Sequence, residues 1–197
     1  MNKIWIGNGQ LVLPDKIVPG GSVLLEGKKI AAVNVPCPPD ARRVDVDGSY
    51  IMAGFVDIHV HGGGDSDFMD EDASAFPTIA KAHCAHGTTA LCPTTMTCAD
   101  SLLGKTIDLF LEADKEPENG AELLGLHLEG PYFSAASKGA QPIGEQRIPE
   151  REDLERILRR AKGSILRWDA APELPNMELF AKVMAENGVL TSLAHSA

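Results

Sequence analysis

Two histidines one residue apart, His59 and His61, stand in the run 54–62 (GFVDIHVHG). Residues at i and i+2 of a strand project from the same face, about 6.6–7 Å apart along it. Two imidazoles set that way can tilt toward one cation, each needing a metal–nitrogen distance of about 2.0–2.1 Å. Phe55, Val56, Ile58 and Val60 predict a short buried strand carrying them. Gly62, Gly63 and Gly64 end it where the backbone must bend and leave room for a ligand. The plainer alternative is two half-buried rings and no ion, because imidazole packs as well as it ligates.

Glu129 closes another apolar run, 122–129, and is followed by Gly130 and Pro131. A carboxylate at the end of a buried strand needs a cation, a metal or hydrogen-bond donors; an arginine partner is the ordinary solution. His195 follows the apolar run 189–194. Three strand ends, each delivering a nitrogen or oxygen donor, suit Zn, Fe or Mn, which the ligand types alone do not separate. His127 shares parity with Glu129 and should point inward beneath the site, while Asp57 shares parity with His59 as a supporting acceptor. His83 and His86 near a helix C-terminus are accounted for by the helix dipole. Glu173 follows a turn proline and has only a small claim on the site.

The elements that must position these groups come in two rhythms. Residues 1–53 alternate short strands and tight turns (3–6, 22–25, 30–33 and 44–47), a small antiparallel β unit by turn chemistry. From residue 54 the chain alternates strand and helix: strands at 54–61, 88–93, 122–129, 165–170 and 189–195, helices at 73–85, 100–113, 149–162 and 177–187. The helix at 149–162 shows a stripe of Leu154, Ile157, Leu158 and Ala161, acids at its start and bases at its end. Such alternation means parallel strands. Periodicity does not separate an open sheet from a barrel, but chemistry at several strand C-termini is where barrels place it. The aperiodic stretch 131–149 is a long loop next to a candidate ligand, which favours a substrate-gripping role.

Bulk composition narrows the function classes. The 197 residues carry a net charge of −10 with 44% hydrophobic residues, a globular chain without the basic surface that nucleic-acid binding needs. No apolar run approaches a membrane span and no secretory leader is visible. Cys37, Cys84, Cys92 and Cys98 make no metal-finger spacing and read as reduced thiols of a cytoplasmic protein, three of them buried.

Taken in order, GFVDIHVHG at 54–62, GTT at 87–89, PT at 93–94, HLEGPY at 127–132, KGA at 138–140, APE at 171–173 and AHS at 194–196 span nearly the whole chain. In these the chain resembles the N-acetylglucosamine-6-phosphate deacetylases of the amidohydrolase superfamily. The resemblance implies an α/β fold: a partial (β/α)8 TIM barrel of about five βα units over residues 54–197, preceded by a small β-sandwich segment over 1–53. It implies a homodimer acting on a small amino-sugar phosphate, with no nucleic-acid or membrane partner. Carried over, Glu129 and His195 would hold the main catalytic metal, and His59 and His61 match members that hold a second ion. Ala140 and Gln141 match loop positions that touch substrate; the family often has His at the latter.

The implied reaction is hydrolysis of the acetamide of N-acetylglucosamine 6-phosphate to glucosamine 6-phosphate and acetate. Another amidohydrolase, such as a cyclic-amide hydrolase or a deaminase, is the alternative; those often carry a bridging lysine where Glu129 stands. A truncated non-catalytic subunit is a third reading. A barrel of this kind needs eight strands and about 250 residues. The family's further metal histidine, catalytic aspartate and phosphate-binding residues would lie past Ala197, so no catalytic residue is assigned. The chain is therefore expected to be a fragment or truncated product, inactive and poorly stable alone unless it associates.

Overall fold

A computed structural model describes residues 3–142 and 144–197; Met1, Asn2 and Ile143, the last within the expected loop, lie outside the described residues. The chain divides into two compact units, Met1–Gly54 and Phe55–Ala197.

In the first unit β1 (Lys3–Val12) pairs antiparallel with β2 (Ile17–Glu26), which turns through Gly27 (φ 61°) into antiparallel β3 (Lys29–Val33). β4 (Arg42–Asp45) and β5 (Tyr50–Ile51) both run parallel to β1, so the five strands make one mixed sheet. The antiparallel expectation is thereby corrected. Turn chemistry reports only hairpin partners, whereas β4 and β5 return to β1 by longer loops. The strand expected to stop at Gly7 instead runs on through an irregularity, with register shifts either side of Gly9 and Asn8 at φ 60°. Asn tolerates that left-handed geometry, and the Trp5 ring lies over Gly7 where a Cβ would collide. Leu11, Val23 and Ile51 form this unit's small core.

The second unit opens with β6 (Phe55–Val60) and the short hairpin β7 (Gly62–Gly63) and β8 (Ser66–Asp67). Then come α1 (Ala75–Cys84), β9 (Thr88–Thr95), α2 (Asp100–Glu112), β10 (Glu122–Leu123) and β11 (Leu126–Glu129). After a 3-10 turn at Ala135–Ser137 follow α3 (Arg151–Ala161), β12 (Ile165–Ala170), α4 (Met177–Glu186) and β13 (Leu190–Leu193). β10 and β11 are two halves of one expected strand, parted at Gly125 (φ 156°). Every pairing in the six-stranded sheet is parallel, and its strands lie side by side in chain order: β6, β9, the β10/β11 pair, β12, β13. A helix links each neighbouring pair, the mixed α/β pattern that alternation predicts.

Parallelism has one consequence for chemistry: all strand C-termini lie along the same sheet edge. The helices pack Phe76, Ile79, Ile107, Phe110, Leu154 and Phe180 into a core with Leu91, Leu128 and Trp168 from the strands. β6 is not the buried strand expected. Phe55, Val56 and Ile58 are 56%, 59% and 53% exposed, and only Val60 is buried. β6 pairs with β9 alone among the described residues, so one long side and most of its side chains face solvent. Of the four free cysteines only Cys92 is buried; Cys37, Cys84 and Cys98 are half-buried, fewer than expected. No helix among the described residues is long and apolar enough to cross a membrane.

Candidate metal centre

Glu129 is the last residue of β11 and is buried, 7% exposed. Parallel pairing holds β11 between β9 and β12, and the ends of β6 and β13, one strand further out on each side, deliver side chains to it. On β6, His59 Nε2 lies 3.8 Å from Glu129 Oε1, and just past it His61 Nε2 lies 3.2 Å from Oε2. Just past β13, His195 adopts a left-handed backbone (φ 49°) and brings Nε2 to 3.0 Å from Oε1. Phe133 packs beside the His195 ring, centroids 4.3 Å apart. The four residues expected from sequence to hold a metal thus meet around one carboxylate, with no arginine in the arrangement.

The tautomers follow from the backbone. His61 Nδ1 lies 3.2 Å from the Thr94 carbonyl and His195 Nδ1 2.9 Å from the Ser137 carbonyl. A carbonyl only accepts, so Nδ1 carries the proton in both rings. In the neutral ring Nε2 then presents a lone pair, and each Nε2 faces a Glu129 oxygen. Lone pair against lone pair repels, so something positive belongs between them: a proton or a cation. Donors shared by one tetrahedral ion sit about 3.3 Å apart; the observed separations of 3.0, 3.2 and 3.8 Å bracket that value. Ligand atoms of His59, His61 and Glu129 all lie within 4.8 Å of one another. The donor set fits a divalent metal.

Electrostatics agree with the geometry. Burial pushes Glu129 up, but hydrogen bonds from His61 and His195 and the charges of His59 and His61 outweigh it and hold the carboxyl at about 2. The Glu129 hydrogen bond lifts His61 above its ordinary value against the effect of burial, while burial depresses His59.

Beneath these groups lies a pair that sequence reasoning half missed. His127 is fully buried, as its parity implies, with Nδ1 3.1 Å from the Ile58 carbonyl and Nε2 2.9 Å from Asp169 Oδ2. Asp169 is 1% exposed, and its other oxygen accepts from Arg167 Nε at 3.1 Å and from the Ser192 hydroxyl. Burial raises Asp169, yet hydrogen bonds from His127 and Ser192 and the charges of His127 and Arg167 keep its carboxyl below the usual range. Ligand atoms of His59, His127 and Asp169 also lie within 4.8 Å of one another. The signal for Asp169 was the one used for Glu129, a carboxylate near the end of a buried strand; the two stand opposite each other in register.

The remaining expected residues fall in different places. Ala140 is exposed, whereas Gln141 is 2% exposed and donates from Nε2 to Glu129 Oε2 at 2.8 Å. Asp57 Oδ1 accepts the His59 backbone N–H at 3.1 Å rather than its ring. Glu173 accepts from the Ser196 hydroxyl and the Ala197 amide, the two residues after His195. His83 Nε2 reaches the Gly62 carbonyl at 3.0 Å, tying α1 to the turn after His61.

Comparison with known proteins supplies the context. Residues 50–194 match the amidohydrolase family. The N-acetylglucosamine-6-phosphate deacetylase of Lysinibacillus sphaericus is 30% identical over 161 residues, covering 78% of this chain and 40% of that protein. The human protein of the same name is 28% identical over 198 residues, covering 98% of this chain and 44% of that protein. Among solved structures, the N-acetylglucosamine-6-phosphate deacetylase of Pasteurella multocida superposes with a TM-score of 0.86 at 26% identity, covering 98% of this chain and 51% of that one. A D-hydantoinase shares the fold more distantly, with a TM-score of 0.60 at 20% identity. The chain spans about half the length of the relatives it matches.

Proposed function

The chain belongs to the amidohydrolase family, and from that premise we propose that it is part of a metal-dependent N-acetylglucosamine-6-phosphate deacetylase. The observation that carries the reading is the convergence of His59, His61 and His195 on the buried Glu129 carboxylate, with Nε2 directed inward from both His61 and His195. On this reading the sheet contributes about five strands of an eight-stranded barrel, the first unit belongs to a β-sandwich appendage, and the protein works as a cytoplasmic homodimer.

When bound, a divalent cation would supply Lewis acidity and would lower the pKa of a water toward about 7. The residues of this chain do the holding and orienting. Glu129, His195, His59 and His61 would hold one or two such ions. The Thr94 and Ser137 carbonyls keep the Nδ1 protons of His61 and His195 in place, which leaves Nε2 of both rings basic. Ala140 and Gln141 stand on the loop that follows Glu129, where the exposed Ala140 offers a surface against which the sugar can lie. The acetamide is cleaved to acetate and glucosamine 6-phosphate.

Elemental analysis after loading with Zn²⁺ tests the ligand set. We expect bound metal in the natural protein and its loss in Glu129→Gln, which keeps the shape but removes the charge. Unchanged metal content would overturn the assignment. Acetate release from N-acetylglucosamine 6-phosphate, set against a cyclic amide such as hydantoin, tests the substrate class in the protein expressed from its own gene.

A further inference from the structure

We propose that Gln141 is a positioning residue of this centre, its side-chain amide fixing which Glu129 lone pairs stay open to a cation. The inference rests on the metal-dependent reading above.

The amide's orientation is settled by its surroundings. Gln141 Oε1 accepts the Thr97 backbone N–H at 2.8 Å. A backbone N–H only donates, so the oxygen must face Thr97 and the NH₂ group must face Glu129, where Nε2 stands 2.8 Å from Oε2. The side chain is 2% exposed, and these two bonds fix its orientation. Its neighbours Ala140 and Pro142 are exposed, so the loop turns inward at Gln141.

The four partners of Glu129 are not equivalent. When a proton lies between them, each imidazole can donate to the carboxylate. When a cation enters, an imidazole nitrogen that turns its lone pair to the ion can no longer donate through the same atom. An amide nitrogen has no lone pair to offer a metal. Gln141 is therefore the partner whose bond to Glu129 is the same with and without the ion. It occupies one lone-pair direction of Oε2 and leaves Oε1, beside His59 and His195, unencumbered by any donor except those that ligate. The anchor at Thr97, two residues beyond β9, ties this constraint to the sheet rather than to a free loop.

A merely structural role would pin the loop and leave the metal untouched. The experiment uses the full chain, Co²⁺ and Zn²⁺ titrations, and Gln141→Leu, which keeps the bulk and removes the donor. Losing a group that orients a ligand costs about 10–100-fold in metal affinity. We expect a loss in that range together with a shifted visible absorption band of bound Co²⁺. The same affinity and the same band in Gln141→Leu would overturn the proposal while leaving the metal-dependent reading intact. Absence of Co²⁺ and Zn²⁺ binding by the unsubstituted chain would instead overturn that reading, and this inference with it. Should Gln141→Leu fail to fold, the Gln141 side-chain NH₂ resonances of the unsubstituted chain decide. Slow exchange retained on adding Zn²⁺ supports the proposal, and a move to solvent-exposed behaviour refutes it.

Discussion

Glu129 and His61 bind each other, and in the metal-free protein that bond makes stability depend on pH in two directions. Glu129 is held at about 2 when folded, against about 4.3 for an unperturbed glutamate. Its contribution is complete above the unfolded value and is lost as pH falls from about 4.3 toward 2. His61 is raised by the same bond, so its contribution is complete below about 6.5 and is lost as pH rises through its folded value. Thermal unfolding of the metal-free chain between pH 3 and 8 should therefore give a maximum near pH 4.5–6 from this pair, by the reference values of about 4.3 and 6.5. Glu129→Gln should flatten both flanks, and a curve indifferent to that substitution would show that the pair is not formed. These side chains were legible because each interrupts an apolar run with a ligating group. Asp169 carries the same signal, a carboxylate near the end of the strand at 165–170. Nothing in the sequence pairs Gln141 with Glu129, since that contact depends on how an aperiodic loop folds back over a strand end.

At the scale of elements, α3 shows what local sequence fixes well. Its stripe, acidic start and basic end predicted a helix at 149–162, and the observed Arg151–Ala161 buries Leu154, Ile157 and Ala161 and ends at left-handed Lys162. Leu154 is fully buried, so Leu154→Ala removes apolar burial and leaves a cavity, an expected loss of about 2–5 kcal/mol. Beside that stripe Arg160 makes a two-pronged pair with Asp108 of α2, at 3.0 and 2.6 Å. That pair is exposed to solvent, so Arg160→Ala should cost about 1 kcal/mol or less. Urea unfolding of the two variants side by side checks the ranking, and equal losses would contradict the burial argument. β6 marks where local reading stops. Its apolar residues declare a strand, but how many neighbours it has is a property of the sheet. The same holds for β4 and β5, whose parallel return to β1 leaves no trace in turn residues.

For the molecule as a whole, the parallel sheet of the second unit ends on two outer strands whose apolar side chains face solvent. On β6 these are Phe55, Val56 and Ile58; on β13, Leu190 and Leu193 are 66% and 76% exposed. An outer strand presents a row of unpaired N–H and C=O groups as well as its side chains, a template for another strand. Charge does oppose self-association, since the chain carries −10. Repulsion between exposed charges is screened beyond about 8 Å at physiological salt, whereas apolar contact is not. The chain on its own should therefore bind a hydrophobic dye and associate with rising concentration, more strongly as salt is added. Val56→Lys, which places a charge on the outer strand without touching His59 or His61, should weaken that association and leave Zn²⁺ binding unchanged. Sedimentation of both forms at low and physiological salt separates the outcomes. A monomer at every concentration would mean that the strand edges are sealed in solution. Association unaffected by Val56→Lys would place the contact somewhere other than β6.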